Sequence, residues 1–325
     1  MTIPPEDLTQ AVDAIRKATS LTLLCHVTPD GDALGSTLAM HHLATAQGIP
    51  TTVSWPEPFA VPNIYAHLPG LGEATQARDI TGEPDVVMTF DCGSLDRLAE
   101  LGALAKSGTE LIVVDHHLTN DRYGTINVID VHAASTASVV RDLARSLGWP
   151  LGYDIALCLY TGLVTDTGRF QYSSTNQDVF ELAAELASYG LPIAQISRIL
   201  FEESSLAYLR LAGHALQTSV FDPDRSFLTT IVSLDDLREF GVTPDEVEAM
   251  IDLLRRAREA EVVAIAKEAA PGVVKVSMRS LRNIDVGAIA QSFGGGGHKL
   301  ASGFTFEGSP TDALELVRKH LPLTK

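Results

Sequence analysis

The chain has 325 residues, 45% of them hydrophobic, and a formal net charge of −17. That length suits two domains, each with its own core. The charge argues against a broad nucleic-acid surface, which needs many cationic contacts, and no apolar run approaches the roughly 20 residues that span a bilayer.

The N-terminal MTIPPEDLTQ is acidic and lacks a signal-peptide core. Cys25, Cys92 and Cys158 all sit in apolar segments, so buried thiols in a reducing cytoplasm are expected, with no membrane partner. To about residue 190, short apolar runs alternate with helical patterns. LTLLC precedes the helical ALGSTLAMHHLATAQG, and DVVMTF precedes an expected helix from Asp96 to Ala105. LIVVD leads to a loop and then to STASVVRDLARSLG, a helix capped by Ser135 or Thr136. The alternation predicts an α/β domain with a mainly parallel sheet. Residues 191–217 read as a helical connector. Beyond them, SFLTTIVSL, EVVAIA and GVVKVSM read as strands of a smaller α+β unit, with a helix opened by the capping box of Thr243, Pro244 and Glu246.

Three apolar runs of the first unit end in polar, chemistry-bearing residues. LTLLC runs into His26, Asp30 and Asp32; VVMTF ends at Asp91; LIVV ends at Asp115, His116 and His117. In a parallel sheet the strand C-termini line one edge, where ligands bind. The apolar DIALCLYTGLVTDTGRF adds Asp166 near its helical end. Two carboxylates about 5 Å apart repel by roughly 3 kcal/mol at an effective dielectric near 20, so a cluster of Asp30, Asp32, Asp91 and Asp166 calls for bridging cations. Carboxylates mixed with imidazoles favour manganese, with magnesium, cobalt or zinc as lesser options, and two ions sharing a carboxylate suit phosphoryl transfer. Taken singly, each element has a plainer reading. Asp30-Gly31-Asp32 is a turn signal, Asp91 a helix cap, and His116 and His117 are polar loop residues. Their joint placement at successive strand ends is what points to a metal site. His41, His42, His67, His132 and His214 show no partner pattern and read as structural.

The second unit carries MRSLRNIDVGAIAQSFGGGGHKLASGF. A run of four glycines is usually a flexible linker, but Gly294, Gly295, Gly296 and Gly297 lie inside a patterned domain and His298 follows at once. A backbone approaching a phosphate or a base explains the run better. Arg279 ends a strand and can pair bidentately with phosphate. Arg282 and Lys299 add positive charge.

HVTPDGDALGS, the Asp91 strand end, VVDHH and VTDTGRF resemble the four motifs of the DHH phosphoesterase superfamily, and SMRS and GGGGH resemble its DHHA1 domain. The resemblance covers nearly the whole chain and is nearest to the bacterial nanoRNase and 3′-phosphoadenosine-5′-phosphate (pAp) phosphatase group. It implies an N-terminal DHH domain over residues 1–190, a helical linker over 191–217, and a DHHA1 domain over 218–325, with the active site in the cleft between them. It implies two Mn2+ ions, with Mg2+ or Co2+ as substitutes. His26, Asp30 and Asp91 would hold one, and Asp32, Asp91, His116 and Asp166 the other. Asp115 would orient a histidine and His117 would contact the scissile phosphate. Arg279, Gly295, Gly296, Gly297 and His298 would hold the nucleotide, with Arg97 a further contact. Lys299, Leu300 and Ser302 stand where relatives commonly have small residues.

The reaction so implied is hydrolysis of short oligoribonucleotides (nanoRNA) and of the 3′-phosphate of pAp by a homodimer. Hydrolysis of cyclic di-AMP or linear pApA is the runner-up. Among rivals, a family II pyrophosphatase should lack GGGGH, and a RecJ-like single-strand exonuclease should be longer and more basic. An inactive nucleotide sensor should have lost a metal ligand, whereas every ligand residue is present.

Overall fold

The computed structural model describes residues 3–323, which form two compact units dividing between Glu203 and Ser204. The first unit contains α1 (Pro5–Lys17), β1 (Leu21–Cys25), α2 (Gly31–Ala46), β2 (Thr51–Ser54), β3 (Val86–Phe90), α3 (Gly102–Ala105), β4 (Glu110–Asp115) and β5 (Ile126–Ile129). Four helices follow: α4 (Thr136–Leu147), α5 (Tyr153–Asp166), α6 (Gln177–Ala187) and α7 (Ile193–Phe201). The sheet has the order β2-β1-β3-β4-β5, with every pair parallel.

Residues of β1 and β3 are buried on both faces, which is why they read as unbroken apolar runs. Leu23, Cys25, Met88, Phe90, Ile112 and Val114 pack with residues of α1, α2, α4 and α5. Leu24, Val87 and Leu111 face the other way, onto Leu98, Leu101 and Ala105. The strand order reverses between β1 and β3, so a crevice opens at their C-terminal ends. Asp30, Asp32 and Asp91 sit there.

One local expectation changes, and one plainer reading gives way. The helix foreseen over Asp96 to Ala105 is a 3-10 segment, Leu95–Leu101, broken at Ala99 (φ 42°, ψ −121°) before the single turn of α3. The Arg97 carbonyl is taken by the Val27 N–H at 3.0 Å, which ties this segment to the end of β1. Asp30-Gly31-Asp32 is not a turn but a helix start. Asp30 caps α2, its carboxylate accepting from the N–H groups of Asp32 and Ala33. Gly31 is glycine because a Cβ there would lie 2.6 Å from Thr165 Oγ1 on α5. Gly35 likewise admits the Cys158 carbonyl, so α2 and α5 close on each other and bring the start of one helix to the end of the other.

The second unit contains α8 (Leu206–Gln217), β6 (Val220–Asp222), β7 (Phe227–Val232), α9 (Leu234–Phe240), α10 (Ile251–Leu254), β8 (Val262–Ala270) and β9 (Val273–Ser280). It ends with α11 (Val286–Ser292), β10 (Gly296–His298), β11 (Ala301–Glu307) and α12 (Pro310–His320). Its sheet has the order β10-β11-β9-β8-β7-β6 and is mixed, β7 and β8 being the parallel pair. One face packs with residues of α11 and α12, the other with residues of α8 to α10. The helix expected after Thr243 begins as a 3-10 segment, Pro244–Met250; the Glu246 carboxylate accepts from both the N–H and the hydroxyl of Thr243.

Candidate active site

His26 and His116 are held in one tautomer. The Nδ1 of His26 lies 2.8 Å from the Val27 carbonyl and that of His116 lies 3.2 Å from the Ala133 carbonyl. Each Nδ1 must donate, which leaves each Nε2 with a lone pair facing carboxylates. The His26 Nε2 is 3.6 Å from Asp91 Oδ2 and 4.0 Å from Asp30 Oδ2. The His116 Nε2 is 3.6 Å from Asp91 Oδ1 and 3.3 Å from Asp166 Oδ2. The two oxygens of Asp91 therefore face two different groups, His26 with Asp30 and His116 with Asp166. Asp32 joins the second group, with its ligand atom within 4.8 Å of those of His116 and Asp166.

Asp115 is built differently. It is fully buried, and its Oδ1 accepts from the N–H of His116 at 2.8 Å, the N–H of His117 at 3.3 Å and the His117 Nδ1 at 2.7 Å. Its Oδ2 accepts from the Asn120 amide at 2.5 Å, and that amide also donates to the Cys92 carbonyl. These contacts occupy its lone pairs within the protein, although its position beside Asp91, His116 and His117 also satisfies the spacing of a metal group.

Crowded charge shows in the acidities. Burial first, and then the charges of Asp91, Asp166 and Asp30, push the Asp32 carboxyl well above its ordinary range, against a hydrogen bond from Ala137. Asp166 is pushed up to about 7 by burial, Asp91 and Asp30 adding to it and His116 opposing. It also ends α5, where the negative end of the helix dipole disfavours a carboxylate. Burial alone would raise Asp91, but the imidazoles around it, His26 first and then His117 and His116, hold it well below the usual carboxylate range. Burial pulls His117 down, yet the bond to Asp115 and the surrounding carboxylates carry it to about 9. Four carboxylates and two oriented imidazole lone pairs are a donor set that fits divalent metal ions.

Sequence reasoning did not single out Asn120, or Thr136 as more than a capping candidate. Ser135 is the cap of α4, its hydroxyl accepting from the Ser138 N–H. Thr136, wholly buried, donates its N–H to Asp32 Oδ2 at 2.6 Å and its hydroxyl to Asp91 Oδ1 at 3.0 Å. Arg97 presents an exposed side chain from the 3-10 segment.

In the second unit, Ala301 of β11 is paired with His298 on one side and Arg279 on the other. The side chain of His298 lies outside the described residues. Gly294 (φ 75°) and Gly297 (φ 131°) adopt backbone conformations that side chains avoid, and a Cβ on Gly295 would meet the Gly303 carbonyl at 2.2 Å. Gly296 has neither constraint, with nothing within 4 Å of where its Cβ would stand. The loop's own folding thus accounts for three of the four glycines. Arg282 is turned to Glu261, at 3.3 Å.

Fold and site together define a phosphoesterase of the DHH class. Residues 20–163 match the DHH family N-terminal domain and residues 224–321 match the DHHA1 domain, and the chain belongs to the DHH/DHHA1 family of hydrolases. It is 32% identical over 303 residues to the bifunctional oligoribonuclease and PAP phosphatase NrnA of Thermus thermophilus, covering 91% of this chain and 88% of that one. Its likeness to the protein of the same name from Bacillus subtilis is 27%, over 91% of this chain and 92% of the other. A solved exopolyphosphatase-related protein from Bacteroides fragilis superposes with a TM-score of 0.92 at 26% identity, covering 98% of this chain and 96% of that one. No helix among the described residues is long and apolar enough to cross a membrane.

Proposed function

We propose that the protein hydrolyses short oligoribonucleotides and the 3′-phosphate of pAp, using two divalent ions, manganese by preference. The observation that carries this reading is the division of Asp91, whose Oδ2 faces His26 and whose Oδ1 faces His116, each oxygen within a separate group of potential ligands. In the proposed assignment His26 and Asp30 share one ion with Asp91, and Asp32, His116 and Asp166 share the other.

Ions bound there would neutralise the phosphate and supply a nucleophilic water at neutral pH. The remaining steps fall to side chains. Asp115 accepts from the His117 Nδ1, and that bond with the surrounding carboxylates raises the His117 pKa to about 9, so at neutral pH both ring nitrogens are protonated and Nε2–H can supply the proton that a departing ribose oxygen needs. Arg279, Gly296 and His298 would hold the rest of the nucleotide, and Arg97 would meet the phosphate. Relatives named for oligoribonuclease and PAP phosphatase activity support this choice of substrate.

The test is a panel of initial rates on pAp, RNA of two to five nucleotides, linear pApA and cyclic di-AMP, with manganese and with EDTA. Fastest turnover on pAp and short RNA, abolished by EDTA and by Asp91→Asn, is the expected result. Full activity of Asp91→Asn in metal-free buffer would overturn the metal assignment. Preference for cyclic di-AMP would overturn the substrate.

A further inference from the structure

Thr136 is connected to two carboxylates that lie beyond the ends of different strands. Its N–H and that of Ala137 take the two oxygens of Asp32, at 2.6 and 2.9 Å, while its hydroxyl takes Asp91 Oδ1 at 3.0 Å. Asp32 lies in the first turn of α2, and Asp91 follows β3 with a left-handed backbone, φ 53°. No local sequence relation sets the distance between them. The first turn of α4 does so, because one buried residue, with no exposed surface, bonds both.

The hydroxyl is also selective. It reaches Oδ1, the oxygen that faces His116, and not Oδ2, the oxygen that faces His26. The hydroxyl holds that oxygen directly, and the N–H of the same residue holds Asp32, the carboxylate grouped with His116 and Asp166. Hydrogen-bond partners of this kind orient ligands and commonly carry 10–100-fold, roughly, in metal affinity.

We infer that Thr136 is a positioning residue that indexes Asp32 against Asp91 and sets the affinity of the ion on the His116 side. A hydroxyl that merely satisfied a helix start would not need to reach Asp91, since Ser135 already caps α4. The inference rests on the two-ion reading above, and wild-type stoichiometry tests that reading separately.

The experiment is a manganese titration of the full chain, reading free ion by electron paramagnetic resonance, for wild type, Thr136→Val, Thr136→Ala and Thr136→Ser. Alanine repeats the loss of the hydroxyl without the branched methyls, in case valine does not fold. Wild type should bind two ions. Valine and alanine should weaken one of them by about tenfold or more and leave the other near its wild-type affinity, with serine restoring both. Melting in EDTA is measured alongside, because a purely structural role would lower the metal-free melting temperature and leave both affinities unchanged. Unchanged affinities in valine and alanine, equal weakening of both ions, or failure of serine to restore would each overturn the inference. Fewer than two ions on the wild type would overturn the two-ion reading first.

Discussion

Asp115 Oδ1 lies 2.7 Å from His117 Nδ1, and the same oxygen receives the backbone N–H groups of His116 and His117. The carboxylate holds one imidazole and the backbone that carries it, and Asn120 holds the carboxylate in turn. Asp115→Asn removes the charge that keeps the His117 proton in place at about 9. If His117 acts as the acid, activity declines as pH rises through the point at which it loses that proton. The variant should therefore lose its alkaline activity at a lower pH than wild type, as read from kcat against pH. Superimposable alkaline limbs would remove His117 from that role.

The raised carboxyls predict how metal and proton compete. With Asp166 at about 7 and Asp32 also raised, both sit above their unfolded values. Their contribution favours the metal-free fold at low pH and is lost as pH rises through the folded value, near 7 for Asp166. Bound cations reverse that penalty and displace the protons. The increase in melting temperature on exchanging EDTA for manganese should accordingly be larger at pH 8 than at pH 5.5. An equal increase at both would contradict the clustering of charge.

The glycines of the second unit separate fold from ligand. Gly297→Ala places a Cβ 2.5 Å from the Ala301 carbonyl at φ 131°, and should destabilise by about 1–3 kcal/mol in denaturant unfolding. Gly296→Ala meets nothing within 4 Å and should unfold within about 0.5 kcal/mol of wild type, yet raise KM if a ligand lies there. Arg279→Ala should lower kcat/KM by about one to two decades, the worth of a charge-assisted hydrogen bond of about 1.5–3 kcal/mol. Bound manganese should stay unchanged in both the Gly296 and the Arg279 variants. A parallel loss of metal would move Arg279 out of nucleotide binding.

Net charge limits substrate length. At −17 the protein repels phosphates that extend beyond the proposed contacts, and lowering the salt strengthens the effect. Initial rates should be highest for RNA of about two to four nucleotides and fall steeply with length, more so at low salt. Rates that stay flat to long strands would favour a processive exonuclease.

Much of this site was legible in the residue order. The apolar runs of β1, β3 and β4 are local signals, and each ends in residues whose chemistry differs sharply from what precedes it. In a parallel sheet those ends must share an edge, so topology alone brings Asp32, Asp91 and His116 together. The short edge strands β2 and β5 were not legible, because four residues are too few to carry a clear period. Nor was the kink at Ala99, two residues beyond the carbonyl of Arg97 that accepts from the Val27 N–H.

Residue order determined which chemical groups the protein has and which strand ends deliver them, because periodicity and side-chain identity are local properties of the chain. Only the tertiary structure decided how those groups meet. Thr136 bonds Asp32 across 104 residues and Asp91 across 45, and Gly31 and Gly35 let α2 approach α5 closely. Contacts of that kind depend on helix packing and on the rotation of individual carboxylates, which no stretch of sequence specifies alone.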